Sequence, residues 1–161
     1  MLDHVIFAYG MNLNSAESLV KDLSPEQMVQ QPNGVINHAA WSLGHLAVVS
    51  NSLAKTLGLE STLPEGWGAP FATGGVPSAD QSAYPSKDEI VDALKAQHVR
   101  VTEAIKNVDP ATLAQPHPNE KMRGHFPTVG DYAIFLMTSH EAGHIGQLAA
   151  WRRALGLGSK G

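Results

Sequence analysis

The sequence predicts an all-α fold, a four-helix bundle with long inter-helix connections. Four stretches carry apolar residues at helical spacing, two of them open on capping boxes, and the segments between are rich in glycine and proline. A chain of 161 residues, 43% hydrophobic and 16% charged, is long enough for one domain with a real core, so residues 1–161 read as a single domain.

The first helix is expected from Leu2 to about Lys21, with Leu2, Ile6, Tyr9, Leu13, Ala16 and Val20 on one stripe. Leu23-Ser24-Pro25-Glu26-Gln27 ends it and opens a short turn, Ser24 as N-cap and Pro25 at the first helical position. The second helix is expected from Asn37 to Leu57, closed by Gly58. Its stripe of His38, Trp41, His45, Val48 and Ser52, spaced 3, 4, 3 and 4 residues, faces polar and aromatic side chains into the bundle. Residues 59–85 then run 27 positions without periodicity, long for a bundle connection. Trp67 and Phe71 within it favour a packed lid over a floppy linker.

Ser86-Lys87-Asp88-Glu89 is a capping box, and the third helix follows to about Asn107 on a stripe of Ile90, Leu94, Gln97, Val101 and Ile105. Thr128-x-x-Asp131 caps the fourth, which runs to Leu155 before Gly156 and Gly158 stop it. A short internal repeat links Leu23–Gln30 with Val108–Gln115, and Leu43-Gly44-His45-Leu46 with Ala142-Gly143-His144-Ile145. It suggests two helical hairpins related by a pseudo-twofold, with a site between them.

The chemistry concentrates in His140-Glu141-Ala142-Gly143-His144-Ile145-Gly146-Gln147. Two imidazoles four residues apart share one helix face, about 6 Å from each other, within a stripe of Ala133, Leu136, Met137, Leu148, Trp151 and Leu155. His45 lies roughly 12 Å from the start of its helix and His140/His144 near the middle of theirs, so the three meet at mid-bundle. Bundles make metal sites from inward side chains on facing helices. Three protein ligands leave positions open for water or substrate, the catalytic pattern. Neutral imidazole suits zinc, nickel, copper or iron, and spacing does not choose among them; zinc or nickel is the expected ion. His38, Trp41 and Gln147 are candidates for lining the substrate pocket. His125 is excluded as a ligand by about 22 Å of helical rise from His140, and His4, His98 and His117 are expected on the surface.

His-Glu-x-x-His also spells the zincin signature, in which the glutamate activates water. The 17 residues after His144 hold no His, Asp, Glu or Cys, so no third ligand follows, and the zincin reading fails. Glu141 points about 100° away from His140 and is expected to be exposed or ion-paired, not a base at the metal.

Composition narrows the function further. The absence of cysteine rules out disulfides and protein thiolates, so any thiol in the chemistry arrives as a co-substrate. A net charge of −4 shows no sign of nucleic-acid binding. No apolar run reaches membrane-spanning length, and Met1-Leu2-Asp3-His4 does not resemble a signal peptide, so the cytoplasm is the expected location.

Trp41-Ser42-Leu43-Gly44-His45-Leu46, followed by Ser139-His140-Glu141-Ala142-Gly143-His144-Ile145-Gly146-Gln147, resembles the DinB/YfiT-like family of metal-dependent enzymes across essentially the whole chain. The resemblance implies a four-helix bundle holding a divalent metal on His45, His140 and His144. Some relatives are thiol-dependent transferases or isomerases using low-molecular-weight thiols. The expected function is therefore a metalloenzyme, hydrolase or thiol-dependent transferase, acting on a small molecule, with a homodimer as the expected assembly. The reading from another class is a non-enzymatic metal- or small-molecule-binding bundle in a stress response.

Overall fold

A computed structural model of the protein describes residues 2–158; Met1 and residues 159–161 of the expected domain lie outside them. Four long helices appear: α1 (Leu2–Val20), α2 (Ala39–Thr56), α3 (Lys87–Asn107) and α4. The last is composite, made of Val129–Phe135, a π-turn over Leu136–His140 and Glu141–Ala154. No β-strand occurs among the described residues, and the bundle expected from periodicity is the one observed.

The two capping boxes are in place: Ser86 and Glu89 open α3, Thr128 and Asp131 open α4. Ser24 Oγ accepts from Gln27 N while the Gln27 amide oxygen accepts from Ser24 N, so Ser24 caps the turn after α1 as expected. The start of α2 differs. It begins at Ala39 because the His38 ring acts as the cap, its Nδ1 accepting from Trp41 N at 3.2 Å. Gly58 takes φ +89° and ends the helix on a left-handed residue.

α2 packs along α3 and against α4, while α1 packs against α3 and α4. The pairs α1/α2 and α3/α4 therefore lie across the bundle from one another. Each half of the internal repeat is a diagonal pair, not the hairpin of neighbours expected from sequence. Long connections suit diagonals, which must be joined over the bundle end. Residues 59–85 join two neighbours, however, so their length is spent elsewhere.

The interior has three levels. One apolar cluster gathers Leu19, Leu43, Leu46, Leu94, Leu148 and Trp151. A second, toward the other end, gathers Leu53, Val101, Ile105, Leu136 and Met137. Between them the buried side chains of three helices turn polar, Ser50 on α2, Gln97 and His98 on α3 and Glu141 on α4, with His45 alongside, and the buried Tyr9 of α1 adds its hydroxyl. The end of the bundle is closed by Arg152, buried, which grips Asp22 with its two terminal guanidinium nitrogens at 2.7 and 2.8 Å and donates to Leu19 O. No helix among the described residues is long and apolar enough to cross a membrane.

Candidate metal centre

His45 is positioned from behind. Gly44 offers no side chain, and the ring of Phe71, fully buried, fills that space; a Cβ at residue 44 would stand 2.1 Å from the Phe71 ring. Seated there, Phe71 presents its carbonyl oxygen 2.9 Å from His45 Nδ1. A carbonyl only accepts, so Nδ1 carries the proton and Nε2 is left as a bare base. That Nε2 faces His140 Nε2 at 3.4 Å.

The connection is therefore packed, but Phe71 backs His45 on the edge away from the other two histidines instead of roofing them. Its anchors run along its length. Asn51 and Gln97 bond Ser61 and Thr62, Arg100 bonds the Glu60 carbonyl, and Tyr84 packs edge-on to His38.

His140 is positioned by the π-turn. In a regular α-helix, residues five apart point about 140° away from each other; a π-turn bonds them i to i+5 and brings them to one side. The rings of Phe135 and His140 accordingly meet, with centroids 5.8 Å apart. His144 follows one α-turn later, its ring 4.7 Å from that of His140 and 4.9 Å from that of His45. Trp41 stacks on His45 at 4.8 Å with planes 9° apart and reaches His144 at 6.0 Å. One ring nitrogen from each of His45, His140 and His144 lies within 4.8 Å of the others.

Burial lowers all three basicities. His140 and His144 are pushed down to about 4, first by desolvation and then by repulsion from the neighbouring histidines. His45 is lowered by desolvation against the opposing pull of the Phe71 carbonyl. At neutral pH the cluster is three uncharged imidazoles with one ring nitrogen of each turned toward the others, a donor set that suits a divalent ion. Two nitrogens on a tetrahedral zinc, at bonds of about 2.05 Å, stand about 3.4 Å apart, which is the spacing of His45 and His140 Nε2. The buried Nδ1 atoms of His140 and His144 have no hydrogen-bond partner, so only His45 carries a supporting acceptor. His45 is buried while His140 and His144 are half-buried, which leaves one side of the cluster open.

Glu141 turns the other way. It is 2% exposed, and its Oε1 lies 2.6 Å from His98 Nε2. His98 stacks on Tyr9 with ring centroids 3.6 Å apart, and the Tyr9 hydroxyl donates to Ser50 Oγ at 2.9 Å. Two diagonal hydrogen bonds, α1 to α2 and α3 to α4, thus cross at the bundle centre. Burial pushes the Glu141 carboxyl up, opposed by hydrogen bonds from His98 and Asn12, and pushes the Tyr9 phenol up as well. Glu141 is not exposed: it is buried and hydrogen-bonded to His98.

Two surface expectations are corrected. His98 is 3% exposed because it answers Glu141, and His117 is 5% exposed because its Nδ1 closes a turn with Asn119 N beneath the Tyr132 ring. Ser52 is exposed, so the stripe on α2 leaves the interior after Val48. His4 is exposed, as expected. His38 is fully buried with both nitrogens engaged, the second by the Ser78 carbonyl at 2.8 Å. Trp41 is a wall of the histidine cluster. Gln147 is exposed, bonds Asn37 at 3.4 Å and borders a hollow with Ile36 and Ala150. Sequence reasoning passed over Gly44, Phe135 and the Phe71 carbonyl; the Gly44-His45 dipeptide was the one signal that something packs there.

Fold and site together define a class: a four-helix bundle with a three-histidine centre contributed by facing helices. The sequence model of the DinB superfamily matches residues 9–148, and the chain belongs to that superfamily. No curated protein and no solved structure matches the chain.

Proposed function

We propose that the protein is a metal-dependent enzyme in which His45, His140 and His144 hold one divalent ion, zinc or nickel, and a small-molecule substrate is attacked by water or a small thiol. The observation that carries this is the cluster itself: three uncharged imidazoles aimed at one point, one fixed in tautomer by Phe71 and two half-open to solvent. Bound there, a divalent ion with three neutral ligands keeps its full charge and acidifies a water or thiol in its open position.

The chain's own residues divide the remaining work. Phe71 O keeps the His45 proton on Nδ1 and the lone pair on Nε2. Trp41 covers the His45 ring face and excludes water from that side. Glu141 is committed to His98 and takes no part at the open side. A thiol nucleophile must come from outside, since the chain has no cysteine. We place this activity in the cytoplasm, in a homodimer, with neither nucleic acid nor membrane as partner.

The test is optical. Cobalt-loaded protein titrated from pH 5 to 9 should change its visible bands with a midpoint around 7 if water occupies the open position. Millimolar thiol should add a sulfur-to-cobalt charge-transfer band if the thiol route operates. Cobalt bound with neither response would replace the enzyme by a non-catalytic metal-binding bundle.

A further inference from the structure

Two glycines next to site histidines stand in opposite surroundings. Gly44 is bare because Phe71 occupies the place of its side chain. Gly143 lies in the middle of α4 beside His144, where glycine costs the helix about 1 kcal/mol relative to alanine. Nothing in the fold compels it: its φ is not positive, and a Cβ there would meet no atom within 4 Å. The effect of the missing side chain is felt only on the solvent side, where it leaves the ground beside the half-buried His140 and His144 clear.

One helical turn away lies a cleft. Ser139, exposed and one turn before Gly143, lines a concavity of about 360 Å³ together with His125, Phe126, Ile134 and Phe135. Phe126 packs on Phe135 with centroids 4.9 Å apart, and Phe135 reaches His140 at 5.8 Å. An aromatic wall thus starts at the rim of the cleft and ends against an imidazole of the cluster. No lysine or arginine lines it, and Asp131 is occupied by the capping box of α4, so the aromatic wall faces only the neutral polar groups of Thr138 and Ser139 and the ring of His125. The volume falls at the lower end of the range for small-molecule sites.

We propose that this cleft, extended across Gly143, is the substrate site of the histidine cluster. It takes a small molecule whose flat apolar end, an aromatic or branched group, lies against Phe126 and Phe135 while a donor head reaches the metal. The inference rests on the reading of the cluster as a metal centre. The π-turn is then part of substrate binding, because it is what turns Phe135 toward His140.

The experiment compares two chelating probes, benzohydroxamate and acetohydroxamate, titrated calorimetrically into zinc-loaded protein. The phenyl group should tighten binding about tenfold or more. Gly143→Leu should weaken benzohydroxamate at least tenfold with zinc content unchanged, while Gly143→Ala should keep most of the affinity. Equal affinity of the two probes for the wild type, or undiminished benzohydroxamate binding by Gly143→Leu, would overturn the cleft. A second arm needs no metal. Benzyl alcohol added to the metal-free protein should shift the amide resonances of Phe135, Ser139 and Gly143, and Gly143→Leu should abolish the shifts. Their absence would overturn the cleft, whereas failure of the wild type to bind zinc would strike the metal centre alone.

Discussion

His140 and Glu141 are neighbours in sequence, yet they belong to clusters on different sides of α4. Glu141 meets His98 in a sealed interior, carboxylate to imidazole at 2.6 Å, under a stacked tyrosine. His140 meets two more histidines and no carboxylate, on a side that stays half-open. In the first cluster His98 Nε2 meets Glu141 Oε1 and the Tyr9 hydroxyl meets Ser50, while His98 Nδ1 and Glu141 Oε2 stay unpaired, and the contacts join all four helices. In the second, three imidazoles face one another, with His45 Nε2 and His140 Nε2 at 3.4 Å, and together they offer a donor set for a cation. The difference separates structure from function where the motif, as letters, does not.

The largest expected effect falls on the structural cluster. Glu141→Ala leaves His98 buried without its partner, at about 1–3 kcal/mol for the unsatisfied group, on top of the cavity left by the lost carboxyl. Denaturant unfolding should show that loss, while metal binding by the folded fraction persists. A metal-free but fully stable Glu141→Ala protein would exchange the roles assigned to the two clusters.

A smaller effect is expected where the two meet the connection. Gly44→Ala drives a methyl into the Phe71 ring, an overpacking worth about 1–3 kcal/mol, and displaces the carbonyl that holds His45. Loss of such a supporting hydrogen bond typically lowers metal affinity about 10–100-fold. Competition with a chromogenic chelator measures it.

The last effect is a pH slope. His140 and His144 sit at about 4 in the folded chain against an ordinary 6.5, and His45 and His38 are lowered in the same direction. Below pH 6.5 the unfolded chain takes up protons that the folded one refuses, so the metal-free protein loses stability as pH falls from 6.5 toward 4. Glu141 works oppositely: its raised carboxyl takes up a proton earlier when folded, which offsets part of the loss. Four imidazoles against one carboxyl leave a net decrease. Tm at pH 5 should lie below that at pH 7, and His144→Phe should flatten the slope.

Much of this was legible in the chain. Helix existence followed from stripes such as Ile90-Leu94-Gln97-Val101-Ile105, all buried, and from the two capping boxes. The histidine cluster followed from an i, i+4 pair and a third histidine at matching depth on another helix. What was hidden depends on tertiary contact. The π-turn has no local signature, since Leu136–His140 reads as ordinary helix. His98 looked like a surface residue because its partner is 43 residues away in sequence. His38 reads as one more position on the α2 stripe, and its ring proves to be the cap that starts the helix. Phe71 sits in a stretch without periodicity, and only Gly44, 27 residues earlier, bears its imprint.

The most direct test is elemental analysis of protein purified without a metal-binding tag, wild type beside His45→Ala. The wild type should carry about one divalent ion per chain, zinc or nickel, and His45→Ala should carry almost none while retaining its helical circular dichroism. Full occupancy in His45→Ala, or a wild type that takes up no ion at micromolar free metal, would contradict the three-histidine centre.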